Sequence, residues 1–345
     1  MFAFAFRTPA CAKTPYSGKR KHRRADADHA RQFARNDLQA CTGTDARCAT
    51  RAKESPNVST ELIIAQDITA RRSPTVAIAL GGGAARGLAH IPMLEALDEL
   101  GIRPRVVAGT SIGALLGACY CAGMTGREMR EYALRLFEAR SELLKRFFGQ
   151  KEFSLGALFK LSKPALVDPE ALFAVTLPSE LPDTFAELAV PLKVVATDFH
   201  AQSEVVLSTG PLRAAISASS SLPGLTSPVS LDGKVLIDGG FVNPTPFDLI
   251  RRDADITIAV DVTGKVERDS GRMPRTAETW IGGAQIMLHS LVTEKLKHQA
   301  PDIFIRPNIV SFGVLDFYKA PAIMDAAEPG KDELKRALEQ VFLQA

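Results

Sequence analysis

From Thr75 onward the chain alternates short apolar runs with stretches in which apolar residues recur every three or four positions. Thr75-Val-Ala-Ile-Ala-Leu80 is a continuous β-type run closed by Gly81, the pattern of a strand buried on both faces. Gly87 to Leu100 carries Leu88, Ile91, Leu94, Leu97 and Leu100 at helical spacing. Val106-Val107-Ala108 predicts a second strand, and Ile112–Ala122 a second helix. Further strands are predicted at Leu192–Thr197, Glu204–Leu207, Val235–Ile237 and Ile256–Val260, with helices near Pro211–Ala218 and Ala277–Leu296. Leu334, Leu338, Val341 and Phe342 mark one face of a last helix. Strands alternating with helices imply an α/β fold, a mostly parallel central sheet covered on both faces.

Residues 1–72 follow no such rhythm and are expected to be a basic, disordered tail on a single domain spanning 74–345. The net charge of +3 hides an asymmetry: residues 1–74 hold 14 of the 42 Lys and Arg against 7 acids. The remainder holds 28 basic and 32 acidic side chains, which argues against a nucleic-acid binder. The run Lys19-Arg20-Lys21-His22-Arg23-Arg24 reads as solvated tail or, alternatively, as an arm that touches anionic lipid. Val106 to Gly126 is free of charge for 21 residues, enough to span a bilayer, but its five glycines and strand-turn start favour a buried strand and helix. Met-Phe-Ala-Phe-Ala-Phe at the start has no basic residue before it and is too short for a secretory signal. Five cysteines (Cys11, Cys41, Cys48, Cys119, Cys121), an odd number without a C-x-x-C pair, make neither a disulfide framework nor a zinc site. A reducing, cytoplasmic compartment is expected, peripheral at the inner membrane face if the basic run meets lipid.

Gly109-Thr110-Ser111-Ile112-Gly113 is a G-x-S-x-G sequence set directly between a predicted strand and helix. A serine at so tight a turn is held in a strained backbone, and the flanking glycines let strand and helix pass closely. The helix start beyond it offers free N–H groups and a partial positive charge. The same residues would equally serve a plain βα turn with Ser111 as helix cap. Gly81-Gly82-Gly83-Ala84-Ala85-Arg86-Gly87 follows the first strand. It lacks the Gly-Lys-Ser/Thr of a phosphate loop, and Arg86 stands where a dinucleotide fingerprint needs its third glycine. A loop of N–H donors for an oxyanion is the reading left in front, with an elbow about 30 residues downstream.

A serine nucleophile needs a base. Of the six histidines, only His200 sits at a strand end; His22 and His29 lie in the tail, and His90, His289 and His298 in helices. Leu236-Ile237-Asp238-Gly239-Gly240 competes with it, an acid at a strand end exposed by two glycines. A carboxylate can accept a serine proton directly when its geometry and pKa are suited.

Together G-G-G-x-x-R-G, G-T-S-x-G and D-G-G resemble the patatin-like phospholipase family, from about Thr75 to about Asp316. Ala196-Thr197-Asp198, Ala218-Ser219-Ser220-Ser221-Leu222-Pro223-Gly224 and Asn243-Pro244-Thr245-Pro246 agree with it. The match looks most similar to short bacterial members related to the neuropathy target esterase catalytic domain. The resemblance implies a patatin-like three-layer sandwich and a serine acyl hydrolase of lipid esters, phospholipid or lysophospholipid, with a Ser–Asp dyad and neither cofactor nor metal. Acyl transfer by the same dyad and a non-catalytic lipid-binding module are the alternatives. Carried over by motif, Ser111 is nucleophile and Asp238 base, and Gly81, Gly82, Gly83 and Ile112 line the oxyanion hole. Arg86, Gly87, Gly109, Gly113, Gly239 and Gly240 support the motifs; Arg86 is expected to pair with an acid below the loop, the alternative being direct contact with a lipid phosphate. The sequence departs from the pattern at Ala84, which occupies a glycine position of the plant-type motif, and at Pro92, where relatives carry glycine. Residues 1–72 have no counterpart in it.

Overall fold

The computed structural model describes residues 73–136, 176–264, 273 and 276–344. The expectations for residues 1–72, including the basic run and three of the cysteines, lie outside the described residues. Residues Arg71–Ala345 form one compact unit.

Strand β1 (Val76–Leu80) is buried along its whole length, as its unbroken apolar run predicts. Its side chains alternate in size. Val76, Ile78 and Leu80 point into the large core, whereas Ala77 and Ala79 face a thinner layer on the other side. β2 (Val106–Thr110) and β7 (Ile256–Val260) flank β1 in parallel, β3 (Leu192–Asp198) lies beyond β2, and β8 (Ile303–Ile305) lies beyond β7. These five parallel strands belong to an eight-stranded sheet that also holds β4 (Ser203–Leu207), β5 (Val229–Leu231) and β6 (Lys234–Asp238), all antiparallel to their neighbours.

Helices α1 (His90–Glu99), α2 (Ile112–Cys121), α3 (Leu212–Ser219) and α5 (Ala320–Gln344) pack on the large-residue face of the sheet. The second face is covered by the 3-10 turn Phe247–Leu249 and by Leu296 of α4 (Thr276–His298). The result is the three-layer α/β sandwich with a mostly parallel sheet that the sequence predicts. The uncharged window Val106–Gly126 resolves into β2 and α2, the latter ten residues and so about 15 Å long. No helix among the described residues is long and apolar enough to cross a membrane. Cys119 and Cys121 are buried in the core.

Four elements differ from expectation. β5 and β8 are only three residues each, too short to show a period. The helical pattern from Gly87 begins as a 3-10 turn, Ala84–Ala89, before becoming α1. The last helix starts well before Leu334, at Ala320, and runs through Pro329-Gly330. That dipeptide reads as a helix stop. Tertiary packing overrides it: Gly330 is buried, and a side chain there would touch Met93 of α1 and Ile305 of β8.

α1 opens with an unusual core residue. His90 is fully buried, and its Nε2–H donates to the Gly81 carbonyl at 2.8 Å. Burial pushes its pKa down to about 4, although the Gly81 carbonyl and Asp261 pull the other way. The unfolded chain takes up this proton near 6.5 and the folded chain only near 4, so stability present above 6.5 is lost as pH falls through that window. The loss attributable to His90 should approach about 3 kcal/mol, and denaturant titrations of His90→Gln between pH 7 and 4 should show a correspondingly shallower decline. Removing residues 1–70 should leave the unit intact, costing less than about 1 kcal/mol or about 3 °C in thermal midpoint. A truncated chain that unfolds would place part of the tail in the core.

Candidate active site

Ser111 lies where β2 ends and α2 begins, with φ 54° and ψ −122°, in the left-handed half of backbone space. That conformation costs on the order of 1–3 kcal/mol for a residue other than glycine. The two motif glycines make it feasible. A Cβ on Gly113 would stand 2.1 Å from the Leu80 carbonyl oxygen, and one on Gly109 would stand 2.5 Å from that of Gly113. β1, β2 and α2 therefore approach more closely there than any side chain allows.

Asp238 arrives from the opposite direction. Thr110 is registered on Val195 of β3, and Asp238, the last residue of β6, on the next residue, Ala196. β4 holds the other edge of β3 over both positions, so β2 and β6 share one edge and meet end to end. The Ser111 hydroxyl donates to Asp238 Oδ2 at 2.7 Å, and the Gly240 N–H donates to Oδ1 at 2.7 Å. Asp238 is 6% exposed. Burial pushes its pKa up to about 6, against the opposing pull of the Ser111 and Gly240 hydrogen bonds. Gly239 permits the tight exit, since a Cβ there would lie 2.2 Å from the Val195 carbonyl oxygen. His200, the competing base, is exposed after β3, and its backbone N–H caps the Asp198 carboxylate. The acid that meets Ser111 is Asp238.

The glycine loop runs beside the elbow: a Cβ on Gly82 would lie 3.4 Å from that of Ser111, and one on Gly87 would strike Ile112. Here the expected set of oxyanion donors needs correction. The Gly81 N–H donates to Val260 O at 3.0 Å and the Gly82 N–H to Pro244 O at 2.8 Å. Those two amides are spent on holding the loop. Among the described residues, the N–H groups of Gly83 and Ile112 have no such partner. Ala84, at the departed glycine position, keeps a glycine-like backbone with φ 49°. Arg86 also differs from expectation. It is buried and donates to the carbonyls of Phe312 at 2.6 Å and Thr263 at 3.0 Å, and the Gln285 amide oxygen can take both its Nη groups. Its close partners are carbonyls, and Asp316 acts on it only through its field.

Sequence reasoning passed over the groups that brace these parts. Ser219 accepts the Ser111 N–H, and His90 holds the Gly81 carbonyl. Lys295 of α4 donates to Asp248 at 2.5 Å and to the Asn243 side chain, fixing the Asn243-Pro244-Thr245-Pro246 turn on which Gly82 rests. A half-buried lysine on a mid-surface helix carries no local signal. The triple serine at the end of α3 does, but only as a cluster of small polar residues with no stated role. An apolar pocket opens beside Ile112, lined along α2 by Leu115, Leu116 and Cys119, and opposite by Leu88, Met129 and Tyr132.

An NTE family protein of Mycobacterium bovis, described as uncharacterized, is 35% identical over 193 residues, covering 56% of this chain and 50% of that protein. Patatin-like phospholipase domain-containing protein 6 of Mus musculus is 33% identical over 215 residues, 60% of this chain and 15% of that protein. The chain thus spans at most about half the length of these relatives. Among solved structures, the type III effector protein ExoU is a distant likeness at TM-score 0.39 and 16% identity, covering 79% of this chain and 54% of that one. Residues 78–250, half of the chain and the stretch that contains the glycine loop, Ser111 and Asp238, match the model of the patatin-like phospholipase family, and to that family this protein belongs.

Proposed function

We propose that the protein is a serine acyl hydrolase that cleaves a carboxylic ester of a phospholipid or lysophospholipid through Ser111 and Asp238. The observation that carries this reading is the 2.7 Å hydrogen bond from a strained, half-buried serine hydroxyl to a desolvated carboxylate. Asp238 takes the Ser111 proton as Oγ attacks the ester carbonyl. The carbonyl oxygen becomes an anion facing the N–H groups of Gly83 and Ile112, at the positive end of α2. As the tetrahedral species collapses, the protonated Asp238 returns its proton to the departing alcohol, leaving an acyl group on Ser111. Water then attacks the acyl-enzyme, Asp238 takes its proton, and the fatty acid leaves as Ser111 regains its hydrogen. A base with a pKa near the working pH is well matched to this double duty. The apolar pocket along α2 is lined by Ile112, the residue after Ser111, and its apolar walls suit an acyl chain.

The mechanism fixes three outcomes. Ser111→Ala should lose about 10⁴-fold or more in ester turnover while remaining folded, and Asp238→Asn should be nearly as inactive, with His200→Gln close to wild type. A His200→Gln variant as dead as Asp238→Asn would replace the dyad by a triad.

The pKa of Asp238 adds a second check. Its folded value of about 6 lies above the ordinary 3.8, so kcat/KM should rise with pH along a limb centred near 6. An acid limb near 4 would exclude Asp238 as the base. The same shift means that the charged carboxylate is favoured in the unfolded chain. Its contribution to stability is present below about 3.8 and lost as pH rises through about 6. Asp238→Asn should therefore unfold at or above the wild-type midpoint at pH 8.

A further inference from the structure

The end of α3 touches both members of the dyad. Ser219, its last residue, is fully buried. Its hydroxyl accepts the Ser111 N–H at 2.8 Å and donates to the Val195 carbonyl at 2.6 Å. Two residues later the Ser221 carbonyl accepts the Asp238 N–H at 2.9 Å, while the Ser221 hydroxyl ties back to Ser217 O at 2.7 Å. One serine-rich turn thus holds the nucleophile by a side chain and the base by a backbone group.

We propose that Ser219 is a positioning residue that holds Ser111 in its reactive backbone conformation and so sets the distance between the nucleophile and Asp238. This rests on the Ser–Asp reading above. The need for it follows from the local chain path. β2 has ended at Thr110, so no ladder partner remains for the Ser111 N–H. α2 uses Ser111 only as an acceptor, for the N–H groups of Ala114 and Leu115. A buried amide without a partner is costly, and a positive φ is costly too. Only a group from a third element satisfies the first while keeping the second, and the Ser219 hydroxyl is that group. Its other bond goes to Val195 O, the atom against which Gly239 also packs. Ser219 therefore references the elbow to the same point on β3 that positions Asp238. With the hydroxyl gone, Ser111 is free to relax toward an ordinary helix start, which swings Oγ away from the carboxylate.

Ser220 supplies an internal control, because its buried hydroxyl has no hydrogen-bond partner among the described residues. The full chain is compared as wild type, Ser219→Ala, Ser220→Ala and Ser111→Ala. Measured are kcat and KM on a water-soluble p-nitrophenyl ester, the rate of Ser111 labelling by a fluorophosphonate, and the thermal midpoint. Ser219→Ala should lower kcat and the labelling rate together by about 10- to 100-fold, with KM within about twofold. The Ser111 hydrogen bond lowers the Asp238 pKa, so its weakening should also move the acid limb of kcat/KM to higher pH. Ser220→Ala should match wild type throughout. If Ser219→Ala does not fold, Ser219→Cys, nearly isosteric with a weaker acceptor, should show the same pattern at about three- to tenfold. A folded Ser219 variant with wild-type kcat and an unmoved acid limb, beside an inactive Ser111→Ala, overturns this assignment alone. Turnover surviving in Ser111→Ala overturns the dyad reading beneath it.

Discussion

Along one edge of β3 two strands running in opposite directions meet end to end, and the site exists because they do. β2 stops at Thr110, opposite Val195, and β6 stops at Asp238, opposite Ala196. Adjacent register positions on one strand bring their C-terminal ends together without a long loop or a second domain. Thr110 and Thr197 lock the two ends, the first bonding the Asn243 carbonyl and the second the Asp238 carbonyl, each at 2.8 Å. A register slip of one residue in either strand would turn Ser111 or Asp238 toward the wrong face. Register thus decides whether Ser111 and Asp238 meet.

Such crowding has thermodynamic costs, which the surrounding core must offset. A positive φ at Ser111, another at Ala84 and a desolvated carboxylate are each unfavourable. They are tolerated because the strands beneath are fully buried: Ile78, Leu80, Val194 and Ile258 have no exposed surface. The hydrophobic term they supply is large compared with any one of those penalties. Under the proposed mechanism, stability and reactivity therefore draw in opposite directions at Asp238, where removing the charge would relax the fold and end the chemistry.

Much of this was legible in the sequence, and the illegible part has a common cause. β1, β2, β7, α2 and the G-x-S-x-G turn carry local patterns, because each is specified by residues next to one another. The direction of β6 does not, since an antiparallel strand joined to a parallel sheet has the same apolar period as any other. The glycine loop reads in the sequence as a backbone device, yet which of its amides stay free depends on Val260 and Pro244, far along the chain. Arg86 was expected to find a carboxylate and instead found the carbonyls of Phe312 and Thr263. Pro329-Gly330 signals a stop that α1 and β8 overrule through contact. Spacing reveals what neighbours in sequence do together and is silent on partners supplied by topology.

The two amides withdrawn from the oxyanion set strengthen the case for the two that remain. A loop of three glycines is the most entropically costly place to hold a fixed dipole. Here the Gly81 N–H is tied to β7, the Gly81 carbonyl to His90, and the Gly82 N–H to a turn that Lys295 anchors from α4. Gly83 lies hard against the Val262 backbone, whose oxygen a Cβ there would meet at 2.5 Å. Donors held this way need no reorganisation when charge appears on a substrate oxygen, which is the condition under which such dipoles are most effective. The buried histidine, the α4 lysine and the serine turn of α3 are thus parts of one arrangement. Under the proposed mechanism, each holds a group that takes no part in the reaction, so that the groups that do take part stay where they are.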